Sequence, residues 1–183
     1  MKQTVLNYWS KFMEMNIIKA YLLALVFHFV WTVFIGVILL AFGAEFSQHV
    51  ASDSAFTNSL FLIPCCAIAE EMLFRWGPFL LLFTILGVIA KFVTISEKTK
   101  LYAILSVVAV SSVIFGYVHG NVFNILIQGV SGVVFCMFYF RTLIKNKEAG
   151  KKDKYQLRPL MSSSCYHTFV NSVLIFLWIR ETR

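Results

Sequence analysis

The chain has 183 residues and a formal net charge of +7, yet only 14% of its residues are charged while 59% are hydrophobic and 16% aromatic. Soluble domains carry roughly a quarter charged residues. With a mean hydropathy of +0.77, this chain lacks the polar surface to cover a soluble core. The Lys and Arg residues flank apolar runs, so the positive charge points to anionic lipid and topology signals. No zinc-finger spacing, RNA-binding aromatic motif or phosphate loop accompanies it, which argues against nucleic acid as a partner.

Residues 1–17 lack a short apolar core followed by a small-residue cleavage site. Val5, Tyr8, Trp9, Phe12 and Met13 recur at helical spacing, which predicts an interfacial N-terminal helix. At about 20 residues per crossing, six transmembrane helices are predicted near 20–42, 57–76, 78–95, 101–119, 122–141 and 159–179. The connections are 43–56, a turn or kink at Trp76-Gly77-Pro78, 96–100, Gly120-Asn121 and a basic loop over 142–158. The fold class expected is therefore an all-α polytopic membrane bundle, one domain over 1–183, multi-pass in a membrane (the cell membrane in a prokaryote) with lipid as its surroundings. Six spans carry a conflict. Residues 141–158 hold seven Lys or Arg and belong on the cytoplasmic side, but that count of spans puts Lys2, Lys11 and Lys19 on the opposite side. Cys65, Cys66, Cys136 and Cys165 lie in or beside apolar segments without metal-site spacing and read as buried apolar residues.

Three groups of polar residues interrupt the apolar helices. In Glu70-Glu71-Met72-Leu73-Phe74-Arg75, a spacing of four sets Glu71 and Arg75 on one helix face, where they can pair. Glu70 points about 100° away, without that partner. An ionisable residue in a membrane helix costs about 2.5–3.5 kcal/mol on insertion scales and is functional by default; charges at an interfacial helix end are the bland alternative. Phe115 and His119 share a face at the end of the fourth predicted helix. His167 and Asn171 share a face in the last, where both can donate toward one point; interhelical polar glue is the bland alternative there. His28 and His49 have no polar partner at helical spacing and read as bystanders.

Glu-Glu-x-x-x-Arg, Phe-x-x-x-His and His-x-x-x-Asn, in that order on separate apolar helices, resemble the CPBP family of intramembrane proteases, typified by the type II CAAX prenyl endopeptidase and also called the Abi family. The resemblance covers about 63–179 as a catalytic core. It takes in Gly129-Val130-Ser131-Gly132 and Phe140-Arg141-Thr142, similar to the family's glycine-bearing helix and its Arg-Thr junction. It implies that Glu70 and His119 activate a water for attack on a peptide carbonyl. His167 and Asn171 would hold the oxyanion, Glu71 and Arg75 would form a supporting ion pair, and Phe115 would pack beside the water.

The substrate implied is a membrane-associated peptide or protein. No cofactor is expected, although Glu70, His119 and His167 are chemically able to bind zinc. Two departures stand out: Trp76 intervenes before Gly77, where the family often has glycine directly after the arginine, and the basic loop before Pro159 is long for the family. Two other readings stay open, a non-catalytic immunity or scaffold protein of the same fold, and a small proton-coupled transporter with Asn121, Asn124, Gln128 and Ser131 along its path.

Overall fold

The computed structural model describes the backbone of residues 2–42, 62–120, 122–153 and 155–181. The predicted 43–56 connection with His49, the predicted helix start at 57–61, and Asn121 lie outside these residues. All regular structure among the described residues is helical: α1 (Lys2–Glu14), α2 (Ile17–Ala41), α3 (Leu62–Glu71), a π-helical turn (Met72–Trp76), α4 (Gly77–Ile89), α5 (Glu97–Val118), a second π-helical turn (Ile125–Gly129), α6 (Val130–Glu148) and α7 (Leu157–Glu181). The chain is thus an all-α bundle.

Four helices are long and apolar enough to cross a membrane: Ile17–Ala41, Leu62–Ile89, Glu97–Val118 and Ile125–Glu148. Leu22, Val26, Phe29 and Val37 of α2 are more than half exposed, an apolar surface of the kind a membrane helix presents. The predicted second and third spans are in fact one helix of 28 residues. Trp76-Gly77-Pro78 makes no turn because the π turn absorbs the proline. Gly77 N–H bonds back to Met72 O, five residues earlier, and Pro78 falls at the start of α4, where it has no N–H to lose. A Cβ on Gly77 would stand 3.0 Å from that same carbonyl.

Merging those spans leaves four helices long and apolar enough to cross, an even number, between the N-terminus and the end of α6. Direct contact agrees, since Arg141 donates from Nε to Phe12 O at 3.2 Å and from Nη2 to Met15 O. The N-terminal lysines and the basic end of α6 therefore share one end of the bundle. The predicted basic loop is also shorter than expected. Helix α6 continues to Glu148 and stops at Gly150 (φ 64°), the left-handed position that favours glycine. Asp153 then caps α7, accepting from Leu157 N–H and Arg158 N–H at 3.0 Å each. Helix α1 forms where predicted, with Trp9, Phe12 and Met13 half-buried. Phe12 packs edge-on to Phe138 of α6 (centroids 5.5 Å apart).

A close backbone approach brings α5 against the second π turn. A Cβ on Gly116 would lie 2.6 Å from Ile125 Cα and 2.8 Å from both Asn124 O and Gly129 N. All three are backbone atoms that cannot step aside, and small residues are what membrane helices use for such contacts. Gly116→Ala is expected to destabilise the bundle by about 1–3 kcal/mol, the usual cost of overpacking. Thermal unfolding in detergent, followed by circular dichroism, reads this as a lowered midpoint.

Candidate active site

The core cluster that carries the polar residues contains Phe115, Phe135, Phe138, Tyr166 and Val170, all nearly inaccessible. Into it α3 delivers two adjacent carboxylates with different surroundings. Glu71 is fully buried, and its Oε1 lies 3.0 Å from Arg75 Nη1 and 3.0 Å from His167 Nδ1. The expected pair on one helix face is therefore present, but His167 of α7 joins it. The Arg75 guanidinium is also fully buried and sits over the Phe115 ring at 4.2 Å and the Phe135 ring at 5.1 Å. Cation–π contacts of this desolvated kind are worth about 2 kcal/mol. Gly132 makes room for it, since a Cβ there would stand 2.9 Å from Arg75 Nη2.

Glu70 is 30% exposed and has no arginine. Its Oε2 faces two imidazoles instead, His167 Nε2 at 3.4 Å and His119 Nε2 at 3.7 Å. No hydrogen bond reaches this oxygen from the described residues. Both rings are fixed by their other nitrogen. His119 Nδ1 lies 2.6 Å from Phe115 O, so it donates there and leaves Nε2 as the free position. Asn124 Nδ2 donates to His119 O at 2.8 Å and ties down the end of α5. His167 Nδ1 donates to Glu71, and its ring stacks on Phe135 at 4.2 Å with an interplanar angle of 21°.

Helix direction explains the meeting. The continuous Leu62–Ile89 helix is followed by α5 running back beside it, with Phe74 against Phe115 (centroids 5.3 Å apart). Glu70, near the start of one helix, therefore faces His119 at the end of the other. Phe115 touches the imidazole of His119 (4.3 Å) and lies 5.8 Å from that of His167. Asn171 lies one turn beyond His167 on α7, half-buried, with no hydrogen bond to the described residues. Six of the seven residues singled out in the sequence thus form one contiguous cluster, and Asn171 stands beside it. Among the described residues, no group of three or more His, Cys, Asp or Glu side chains is arranged as a metal site.

Several participants were not singled out for the site. Phe135 and Gly132 shape the places of His167 and Arg75, and Asn124 holds His119. His28, read as a bystander, is buried with its Nε2 2.8 Å from Ser131 Oγ of another helix. Each of these contacts joins residues from different helices, or spans a turn, and helical spacing carries no signal of them. Three comparisons, with family models, curated proteins and solved structures, give no match to this chain.

Proposed function

We propose that this chain is a membrane-embedded endopeptidase of the CPBP type, which hydrolyses a peptide bond in a membrane-associated peptide or protein. One observation carries the reading. Two imidazole Nε2 atoms from separate helices converge on a single half-exposed carboxylate, while the adjacent carboxylate is buried and neutralised by an arginine. A merely structural pair of acids would have no reason to be treated so differently. Glu71 and Arg75 hold His167 in place, and Glu70, 30% exposed, has no such counter-charge.

In this mechanism a water lies between Glu70 and His119. Glu70 takes its proton as the oxygen attacks the peptide carbonyl carbon, and His119 Nε2 accepts the second hydrogen bond and aligns the lone pair. His167 and Asn171 supply donors to the carbonyl oxygen as it becomes an oxyanion. Because Nδ1 of His167 already donates to Glu71, that role requires a proton on its Nε2 as well. The C–N bond then breaks, and the leaving nitrogen takes the proton held by Glu70.

The reading needs no cofactor. Zinc would use the same three groups, Glu70, His119 and His167, and a strong chelator distinguishes the two. The basic end of the bundle, with the N-terminal lysines and the Arg141 end of α6, is assigned to the cytoplasmic side of a cell membrane. The test is cleavage of a candidate membrane peptide co-expressed with wild type or with Glu70→Gln, with and without chelator. Loss in the variant alone supports the glutamate mechanism, and loss with chelator as well points to metal. Cleavage that persists in the variant removes Glu70 from its role.

A further inference from the structure

The residues that lead from α6 into α7 are tied to the helices around them. Asp153 caps α7 through the backbone N–H groups of Leu157 and Arg158. Tyr155 turns its carbonyl toward the indole of Trp76, whose Nε1 donates to it at 2.6 Å. Gln156 is buried, and its Oε1 accepts from the Tyr139 hydroxyl of α6 at 2.5 Å. Gln156 also has φ 55°, the left-handed region that favours glycine. A residue held there persists where its surroundings over-determine it, and such places cluster at functional sites. The two anchors are neighbours, because Trp76 packs against the cluster of Phe79, Cys136 and Tyr139.

Trp76 closes the π turn that begins directly after Glu71. The same continuous helix, Leu62–Ile89, therefore carries both acids of the site and the donor that holds the start of α7. About 15 Å of helix, at 1.5 Å per residue, runs from Leu157 to His167. A hydrogen-bonded helix hardly stretches along its axis, so a slip of its first turn reaches His167 almost undiminished. His167 has little room for one, with Nδ1 3.0 Å from Glu71 Oε1 and Nε2 3.4 Å from Glu70 Oε2. Helix α7 receives another side-chain bond nearer the site, from the Tyr21 hydroxyl to Ser162 O at 3.1 Å. That bond comes from α2, which carries neither acid, and so fixes α7 against a different helix.

We infer that Trp76 is a positioning residue for the site: by holding Tyr155 O it sets where α7 stands along its axis relative to Glu70 and Glu71, and so keeps the His167 imidazole within reach of both. Trp76 touches no reacting atom and acts through α7. Its effect on cleavage rests on the hydrolase reading, whereas its effect on His167 needs no substrate.

The test uses the full-length protein, labelled with ¹⁵N-histidine, in lipid–detergent micelles. A His167 Nδ1–H that donates to a buried carboxylate gives a downfield proton resonance, assigned by its absence from His167→Gln. Trp76→Phe, which keeps a ring and removes the donor, should move this resonance upfield and speed its exchange with water. Benzothienylalanine at position 76, the shape of tryptophan with sulfur in place of the N–H, should do the same without a packing defect. Tyr21→Phe removes a comparable bond to the same helix and should leave the resonance in place. On a membrane peptide that wild type cleaves, both replacements of Trp76 should lower kcat by about 10–100-fold, approaching the cost of a 1 Å misplacement, with KM nearly unchanged. A resonance that stays in place in both, or that moves equally in Tyr21→Phe, would overturn the inference. A moved resonance in a chain that cleaves nothing would keep the positioning role and remove the hydrolase reading. Cleavage that falls while the resonance stays would do the reverse.

Discussion

Glu70→Gln is expected to reduce peptide hydrolysis by about 10²–10⁴-fold, the range for loss of a positioned general base, and to leave the thermal unfolding midpoint nearly unchanged. Both halves follow from the surroundings of this side chain. Its Oε2 accepts no hydrogen bond from the described residues, and its nearest polar neighbours are the two imidazole Nε2 atoms at 3.4 and 3.7 Å. An amide fits the same space at no packing cost but cannot take a proton from water. The adjacent substitution, Glu71→Gln, should behave differently. It removes the counter-charge of a fully buried arginine and the acceptor of His167 Nδ1, so stability and activity should fall together. Parallel measurement of cleavage and unfolding for the two variants separates a reacting carboxylate from a supporting one. Equal destabilisation by both would contradict the division of roles.

Arg75→Met should be the most destabilising single substitution in the bundle, by about 3–5 kcal/mol, because it leaves the Glu71 carboxylate buried without its guanidinium. The loss is mostly that of the stranded charge. Glu71→Gln combined with Arg75→Met should therefore recover a large part of it, and the double-mutant cycle measures the coupling. Recovery of stability should not bring recovery of cleavage, because the neutral pair no longer supplies the carboxylate that orients His167. Denaturation in detergent micelles, paired with the cleavage assay, reads both quantities. If Arg75→Met alone cost less than about 1 kcal/mol, the cage of Phe115, Phe135 and Gly132 around it would be incidental packing.

The apolar helices and the polar positions that cluster between them were legible in the sequence, for a simple reason. Apolar runs and the charged residues within them are local features, and a helix face is set by a spacing of four. Glu71 with Arg75 and Phe115 with His119 are pairs of that kind, and both are in contact. What joins different helices was not legible. His167 binding Glu71, Phe135 stacking on His167, and Ser131 holding His28 depend on how the helices pack. The error at Trp76-Gly77-Pro78 was different in kind. Glycine and proline together ordinarily punctuate a helix, but a π turn placed just before them shifts the hydrogen-bond register by one, so the proline's missing N–H costs little. Missing that turn split one span into two, and the split created the topological conflict between the two basic ends of the chain.

The most direct test of the central claim, that Glu70 activates water for peptide hydrolysis within the membrane, is isotopic. Membranes containing wild type or Glu70→Gln would be incubated in H₂¹⁸O, and the C-termini of membrane peptides compared by mass spectrometry. The account predicts new C-termini carrying ¹⁸O in wild-type membranes and none of them in the variant. Identical C-termini in both membranes, or none in either, would contradict it.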